Sequence, residues 1–196
     1  MLSETEKQDL RVIRTHKMIR NALIEVLKNQ EFDKIAVQDI CDTAMVNRAT
    51  FYKYYSGKSD LVGAMIADFK AKYQTILIDR LSGNQNISTF TNEVIPTLYE
   101  QRELILALWK VKTKRHHLWD DMFLMIKQNF IHYQQQRFPN KNLDYQGEIL
   151  ATIILKTAHY YFAQNLPIPI KQVWEDIGVV LDEVEGKIDR KTEFNI

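Results

Sequence analysis

The chain has 196 residues, with 26 lysines and arginines against 25 aspartates and glutamates, so its net charge is +1. This length predicts one domain or two small ones, with a core that needs no stapling by disulfides or metals. Hydrophobic residues make up 45% of the chain and charged residues 26%, which excludes a largely disordered protein. No run of about 18 apolar residues is present, the N-terminus has no apolar signal segment, and Cys41 has no cysteine partner. We therefore expect a cytoplasmic protein without membrane contact.

The periodicity of the apolar residues favours helices throughout. Glycine and proline are scarce, at 6 and 4 copies, and no alternating strand pattern occurs. We predict an all-α chain in which a polar stretch at 82–89 is a linker and Pro96 kinks a helix that Ser88 caps. About nine helices are expected, at residues 11–29, 37–44, 48–54, 58–81, 88–101, 104–109, 116–136, 145–164 and 170–188.

Positive charge is concentrated in the first third of the chain. Two stretches, 11–20 and 43–59, contain basic residues and no acidic residue. Residues 61–196 carry equal numbers of both signs. This distribution fits a polyanion-binding module joined to a neutral body, although charge alone favours two solvated helix faces.

The predicted helices at 37–44 and 48–54 have the dimensions of a helix-turn-helix, because only three residues join them. Asn47 is a good N-cap for the second helix. Phe51 and Tyr55 are spaced to face the first helix, and the opposite side presents hydroxyls and cations without an acid. Such a surface suits phosphate oxygens and base edges.

The segment FDKIAVQDICDTAMVNRATFYKYYSGKSDL resembles the N-terminal DNA-binding domain of the TetR family (TetR/AcrR) of bacterial transcriptional regulators. The string T-F-Y-x-x-Y-x-x-K-x-x-L carries most of the resemblance, which covers roughly residues 10–70. It implies a three-helix DNA-binding domain at 9–70, with the helix-turn-helix at about 36–55, and a helical ligand-binding and dimerisation domain at 71–196. In this family the third helix reads the major groove.

The resemblance also implies roles for individual residues. Thr50 and Tyr52 are expected at phosphates, Lys58 as a clamp on the DNA backbone, and Lys53 with Arg48 and Ala49 at base edges. The complete set of expected DNA contacts is Gln38, Asn47, Arg48, Ala49, Thr50, Tyr52, Lys53, Tyr54 and Lys58.

Two positions depart from the family pattern. Met45 stands in the turn where the family usually has glycine, so it must adopt either a strained dihedral or a different turn. Ala36 stands where a serine or threonine often caps the second helix and contacts phosphate, and Gln38 is the candidate substitute. Cys41 is interpreted as a small buried residue rather than a redox sensor.

Residues beyond 83 carry no specific motif. The resemblance implies that the last two helices pair across a two-fold axis, and their apolar stripes also fit an intrachain core. The expected dimer residues are Ile149, Ile153, Val173, Ile177, Val180, Leu181 and Val184. An effector pocket is expected at Trp109, Trp119, Met122, Phe123, Ile126 and Phe130, although an aromatic stripe at helical spacing is more often core. Candidate polar anchors for the effector are Lys110, Lys112, Arg115, His116 and Asp120.

These observations predict a dimeric, nucleoid-associated transcriptional regulator, and more specifically a repressor. It is expected to bind a pseudo-palindromic operator in double-stranded DNA and to be released by a small-molecule effector. The alternative is a helical ligand-binding or scaffold protein with a degenerate DNA-binding module. We expect no enzymatic activity, no cofactor and no metal, because the histidines lack ligand spacing and no phosphate loop, nucleophile elbow or HExxH occurs.

Overall fold

A computed structural model of the protein describes residues 4–81 and 90–189. Within these ranges the chain is helical and contains no strand, which confirms the all-α prediction and the number of helices. The nine helices are α1 Glu4–Asn29, α2 Val37–Ala44, α3 Arg48–Tyr54, α4 Lys58–Leu81, α5 Ile95–Glu100, α6 Arg102–Trp109, α7 Leu118–Arg137, α8 Asp144–Ala163 and α9 Ile170–Asp189.

Helices α1 to α3 and the first part of α4 form the head of the molecule. Its core is built from fully buried side chains that each helix contributes at helical spacing, such as Leu23 of α1, Ile40 of α2, Phe51 of α3 and Leu61 of α4. Cys41 belongs to this core and is fully buried, and burial raises the pKa of its thiol, so it is an inert packing residue.

Helix α4 continues from the head into the body formed by α5 to α8. Met65 and Phe69 of α4 are buried in the same continuous core as Leu108 of α6 and Ile126 of α7. No gap in packing therefore separates the two parts, and α4 runs through residue 70 without a break. The division into domains at 9–70 and 71–196 stays a prediction.

Helices α7 and α8 pack closely along each other in the body. A Cβ added to Gly147 of α8 would lie 3.0 Å from Cγ of Lys127 and 3.3 Å from its carbonyl oxygen. Any larger residue at position 147 would therefore push the two helices apart. Across the same contact, the ammonium of Lys127 pairs with Asp144 at 2.9 Å and with Glu148 at 2.6 Å.

The helix predicted at 88–101 changes its type within the described residues. Residues Phe90–Val94 form a single π-helical turn, and Pro96 then lies in the first turn of the short helix α5. Proline is tolerated there because the first backbone N–H groups of a helix have no carbonyl partner to lose. Pro96 thus directly follows a π-helical turn, and the kink expected at this residue stays a prediction. Ser88 and the predicted linker at 82–89 lie outside the described residues.

Near its beginning, helix α9 packs against the core of the body through Ile170 and Val173. Farther along, its apolar side chains are exposed, including Val180 at 59% and Leu181 at 58%. None of the helices in the described ranges is long and apolar enough to cross a lipid bilayer.

The turn between α2 and α3 explains the glycine preference that Met45 violates. Met45 has φ 53° and ψ 41°, the left-handed conformation, and its side chain is 89% exposed. The backbone N–H of Val46 donates to the carbonyl of Cys41 at 3.0 Å, which is the long bond of a Schellman motif. The motif requires positive φ at residue 45, so the turn keeps its geometry and Met45 adopts the strained dihedral.

Replacing Met45 with glycine is expected to stabilise the protein. The left-handed conformation costs a residue with a Cβ roughly 1–2 kcal/mol, whereas the greater freedom of glycine in the unfolded chain costs about 0.5–1 kcal/mol. The exposed side chain loses no packing, so Met45→Gly should raise the free energy of unfolding by up to about 1 kcal/mol in urea denaturation.

Met45→Ala is the matched control, because it removes the side chain and keeps the Cβ. It should leave the stability within about 0.5 kcal/mol of the parent. Equal stabilisation by both variants would show that the methionine side chain, not the dihedral, is unfavourable.

Candidate nucleic-acid interface

One side of helix α3 packs against the core of the head, and the opposite side is exposed to solvent. Phe51 and Tyr55 are buried, at 0% and 4% exposure, against α1, α2 and α4. The side-chain oxygen of Asn47 accepts the backbone N–H of Thr50 at 2.7 Å and so caps the helix, as predicted from the sequence. The seven residues of α3 thus form a short, fixed helix at the surface.

The free face of α3 carries the expected base-reading residues. Arg48, Ala49, Tyr52 and Lys53 are all exposed, and no acidic residue lies on this helix. The guanidinium of Arg48 lies 5.7 Å from the centre of the Tyr52 ring, and the ammonium of Lys53 lies 5.8 Å from that of Tyr54. These contacts are loose, so both cations can extend toward a ligand.

Two expected contact residues are less available than the sequence indicates. Tyr54 is half-buried, with its ring centroid 4.6 Å from that of His16, so it does not lie fully toward solvent as predicted. Thr50 is also half-buried. Both residues lie at the margin of the exposed face, where hydroxyl groups can reach phosphates but the rings and methyl groups remain packed.

The start of α2 is capped without the serine or threonine that Ala36 replaces. The carboxylate of Asp39 accepts the backbone N–H of Ala36 at 2.7 Å, which is half of a capping box. Gln38 is exposed, and its amide donates to Asp42 at 2.7 Å. A Gln38–phosphate contact would require this exposed bond to open, which is energetically undemanding.

The hydroxyl of Tyr55 connects α3 to α1 and α4. It accepts from Nε of Arg20 at 3.2 Å and lies 2.7 Å from Nδ1 of His16. Arg20 in turn pairs with Asp68 of α4 at 2.7 Å. Because the hydroxyl accepts from Arg20, its proton can be donated to an unprotonated Nδ1. Burial, followed by the charge of Arg20, lowers the pKa of His16, so the neutral form that accepts this proton is favoured.

Lys58 has a different role from the one implied by the family resemblance. Its Nζ donates to the carbonyls of Phe32, Asp33 and Ile35 at 2.8, 2.9 and 2.7 Å. A lysine has three N–H donors, so none remains for a phosphate in this arrangement. We therefore remove Lys58 from the expected DNA contacts: it fixes the turn between α1 and α2 to the start of α4.

The residues predicted for the dimer interface are distributed over two surfaces of the body. Ile149 of α8 is 41% exposed and Val184 of α9 is 50% exposed, so both offer apolar surface. Ile153, Val173 and Ile177 are half-buried, and Val173 packs against the intrachain core.

The residues predicted for an effector pocket do not form one together. Met122 and Ile126 are core residues, at 4% and 0% exposure, while Phe123 and Phe130 are half-buried on α7. Only the two tryptophans, Trp109 and Trp119, line a cleft.

That cleft lies between the end of α1, α6 and α8, and has a volume of about 940 Å³. The candidate anchors Lys110 and Lys112 line it, whereas Arg115, His116 and Asp120 do not. Lys28, Lys156 and His159 also line it and could not be predicted to do so, because these residues are far apart in the chain and meet only in the fold.

Neither the head nor the body offers a metal centre among the described residues, since no three histidine, cysteine, aspartate or glutamate side chains converge there. His117 and Asp121 pair, with Nδ1 and Oδ1 3.2 Å apart, and Nζ of Lys70 of α4 lies 2.9 Å from Oδ2 of Asp121. These contacts bind α7 to α4.

Comparison with known proteins agrees with this architecture. Residues 19–65 match the family described as bacterial regulatory proteins, tetR family. The chain is 29% identical over 165 residues to the uncharacterized HTH-type transcriptional regulator YxbF of Bacillus subtilis (strain 168). That alignment covers 77% of this chain and 40% of the relative, so the chain spans well under half the length of that protein.

Two solved structures match most of the chain. A gamma-butyrolactone receptor described as ArpA-like superposes with a TM-score of 0.51 at 13% identity, covering 93% of this chain and 100% of the receptor. The dihydroxyacetone kinase operon activator DhaS gives a TM-score of 0.46 at 15% identity, covering 87% of this chain and 96% of the activator. At such identities the receptor indicates a shared helical fold and nothing more.

Replacing Lys58 with methionine should destabilise the head. The change keeps the length of the side chain but removes three charge-assisted hydrogen bonds, two of them partly buried, each of a type that contributes about 1.5–3 kcal/mol. We expect the free energy of unfolding to fall by about 2 kcal/mol or more, as measured by urea denaturation followed by circular dichroism.

Lys34→Met is the matched control, because Lys34 lies in the same turn and is 73% exposed in its pair with Glu31. It should change stability by less than about 0.5 kcal/mol. If Lys58→Met left stability unchanged and instead lowered the salt dependence of DNA binding by about one unit, Lys58 would be a phosphate clamp after all.

Proposed function

We propose that the chain, of which residues 19–65 match the tetR family of bacterial regulatory proteins, is a dimeric transcriptional regulator that binds a pseudo-palindromic operator through α3. The observation that carries the proposal is the exposed, acid-free face of this helix. The face is held in place from behind by Phe51 and Tyr55 and presents Arg48 and Lys53 to solvent. Its action would be that of a repressor in the bacterial cytoplasm, controlled by a small-molecule effector.

Residues at the two ends of the exposed face would determine base specificity. Arg48, at the first position of α3, and Lys53 have the reach and donors to recognise guanine edges in the major groove. Tyr52, at 46% exposure, and the hydroxyl of Thr50 suit phosphate oxygens. The amide nitrogen of Asn47 remains available, because only its oxygen is used by the cap.

The two departures from the family pattern, at Ala36 and Met45, leave the helix-turn-helix of the head intact. Asp39 caps α2 where Ala36 provides no side-chain oxygen, and the turn at Met45 keeps its Schellman bond. The alternative of a degenerate DNA-binding module therefore has no observation of its own in its favour.

Exposed apolar residues on α8 and α9 support a homodimer. Val180, Leu181 and Val184 are each at least half exposed, which is unfavourable for a helix facing water along its length. A second copy related by a two-fold axis would cover them together with Ile149. A two-fold dimer would also present two α3 helices to successive major grooves, which lie about 34–36 Å apart.

Selection from a pool of randomised duplexes at moderate salt should enrich a pseudo-palindrome that the protein binds in a gel shift. Lys53→Ala should then lose about 1–3 kcal/mol, or roughly tenfold or more, on the selected site and relax the base preference at one position of each half-site. Lys72→Ala, at an exposed position of α4 away from the face, is the control and should bind like the parent.

No enrichment of any sequence would contradict the regulator proposal. If Lys53→Ala weakened every sequence equally and reduced the salt slope by about one unit, Lys53 would contact phosphate and not a base.

The dimer is tested by placing charge on α9. Val180→Glu combined with Leu181→Glu should raise the dimer dissociation constant by about a hundredfold or more, because burial of each aliphatic side chain contributes about 1.5–3 kcal/mol. Light scattering coupled to size exclusion would then report a monomer with unchanged helical circular dichroism.

Lys171→Glu is the control for α9, because Lys171 is 92% exposed at the beginning of the helix. It should remain dimeric. A doubly substituted protein that stayed a dimer at micromolar concentration would place the interface elsewhere.

A further inference from the structure

The cleft between α1, α6 and α8 is built from two chemically different walls. One is aromatic: the Trp109 and Trp119 rings meet edge to face with centroids 4.9 Å apart, and His159 lies 6.1 Å from each of them. Trp109 is buried, whereas Trp119 is half-buried and His159 is exposed. The cleft therefore offers π surface that solvent can reach.

The other wall is cationic. Four lysines line the cleft against two glutamates, and the carboxylates are already engaged: Glu103 pairs with Lys28 at 2.9 Å and Glu31 pairs with Lys34 at 2.8 Å. The lysines of the cleft are Lys28, Lys110, Lys112 and Lys156.

The lysines differ in how strongly they are held. Lys112 is exposed and forms no ion pair with any described residue, and Lys156 lies over the ring of Trp119 at 5.4 Å. Lys110 donates to two backbone carbonyls of α1, at 3.1 and 3.0 Å, which leaves its third N–H free. The cleft thus has donors for an anion and no unpaired carboxylate to repel one.

The lining spans the junction of head and body. The end of α1 contributes residues 28–31, including the carboxyl end of the helix that also holds Leu23 and Leu27 in the core of the head. The opposite lining, from α6, Trp119 and α8, belongs to the body. A molecule seated in the cleft would contact both parts at once.

We propose that this cleft binds a small anionic molecule with a flat aromatic part, whose ring packs against Trp119 and His159 and whose carboxylate or phosphate is bound by Lys112, Lys156 and Lys110. The regulatory part of the proposal, that this ligand changes DNA affinity, rests on the proposed function of the protein. Binding to the cleft does not.

The binding test uses the full chain and isothermal titration calorimetry with indole-3-acetate, indole-3-acetamide and inorganic phosphate as probes. The carboxylate and the amide share a ring and differ in charge, and phosphate has charge without a ring. Indole-3-acetate should bind saturably, at least tenfold more tightly than either of the other two. Equal binding of acetate and amide, or no saturable binding by any probe, would overturn the proposal.

Variants locate the site. Lys112→Glu combined with Lys156→Glu should weaken indole-3-acetate binding at least tenfold, and His159→Ala should weaken it severalfold without a change in circular dichroism. Lys72→Glu combined with Lys171→Glu makes the same change in net charge outside the cleft and should bind like the parent. If both double variants lost affinity for indole-3-acetate equally, the net charge of the protein and not the cleft would account for the binding.

A gel shift on the selected operator separates the two levels of the proposal. Indole-3-acetate at saturation should lower operator affinity in the parent and leave it unchanged in the Lys112→Glu, Lys156→Glu variant. Saturable binding with no change in operator affinity would overturn the regulatory role alone. A protein that bound no operator but bound indole-3-acetate would overturn the proposed function and support the site.

Discussion

The arrangement of the head depends on one requirement, that α3 is kept in a fixed position by its neighbours. A helix of seven residues is far too short to be stable alone, since isolated helices below about 12–15 residues are marginal in water. Its stability must come from the packing of Phe51 and Tyr55 and from the cap at Asn47. Every other helix of the head is arranged to provide that packing while leaving the opposite face of α3 uncovered.

The same requirement explains the polar contacts around the head. The hydroxyl of Tyr55 fixes the end of α3 to His16 and Arg20 of α1, and Arg20 continues to Asp68 of α4. Lys58 ties the start of α4 to the turn that precedes α2. Since α4 continues into the core of the body, a rotation of α4 would move α3 with it as one unit.

Local signals predicted the head well. The bounds of α2 and α3 agree with the sequence analysis because both helices are defined by short-range features: the apolar face of α2, the cap at Asn47 and the breaking sequence after Tyr54. The strain at Met45 was also foreseeable, since one residue type is usual in that turn and a different one stands there.

Features that depend on the tertiary arrangement could not be predicted from the sequence in the same way. An aromatic stripe on α7 has the same spacing whether it faces a core or a cavity, so Met122 and Ile126 were assigned to a pocket and lie in the core. Lys58 was assigned to DNA because its position matches the family, yet only the fold brings three carbonyls to its ammonium. The cleft lysines converge from α1, from the segment after α6 and from α8, which no local pattern reveals.

The position of the cleft bears on how an effector would act. A ligand changes an equilibrium only by its difference in affinity for the two states, and a tenfold change in DNA affinity requires about 1.4 kcal/mol of such coupling. If a pocket were enclosed by the body alone, the difference in ligand affinity would have to be transmitted to the head through the side chains packed between them. The cleft needs no such relay, because the end of α1 forms part of its lining and any shift of the head against the body changes the distance between residues 28–31 and the aromatic and cationic groups of the body. Linkage then requires the effect to be reciprocal: operator DNA that holds the head in the less favourable position must weaken the ligand by the same factor.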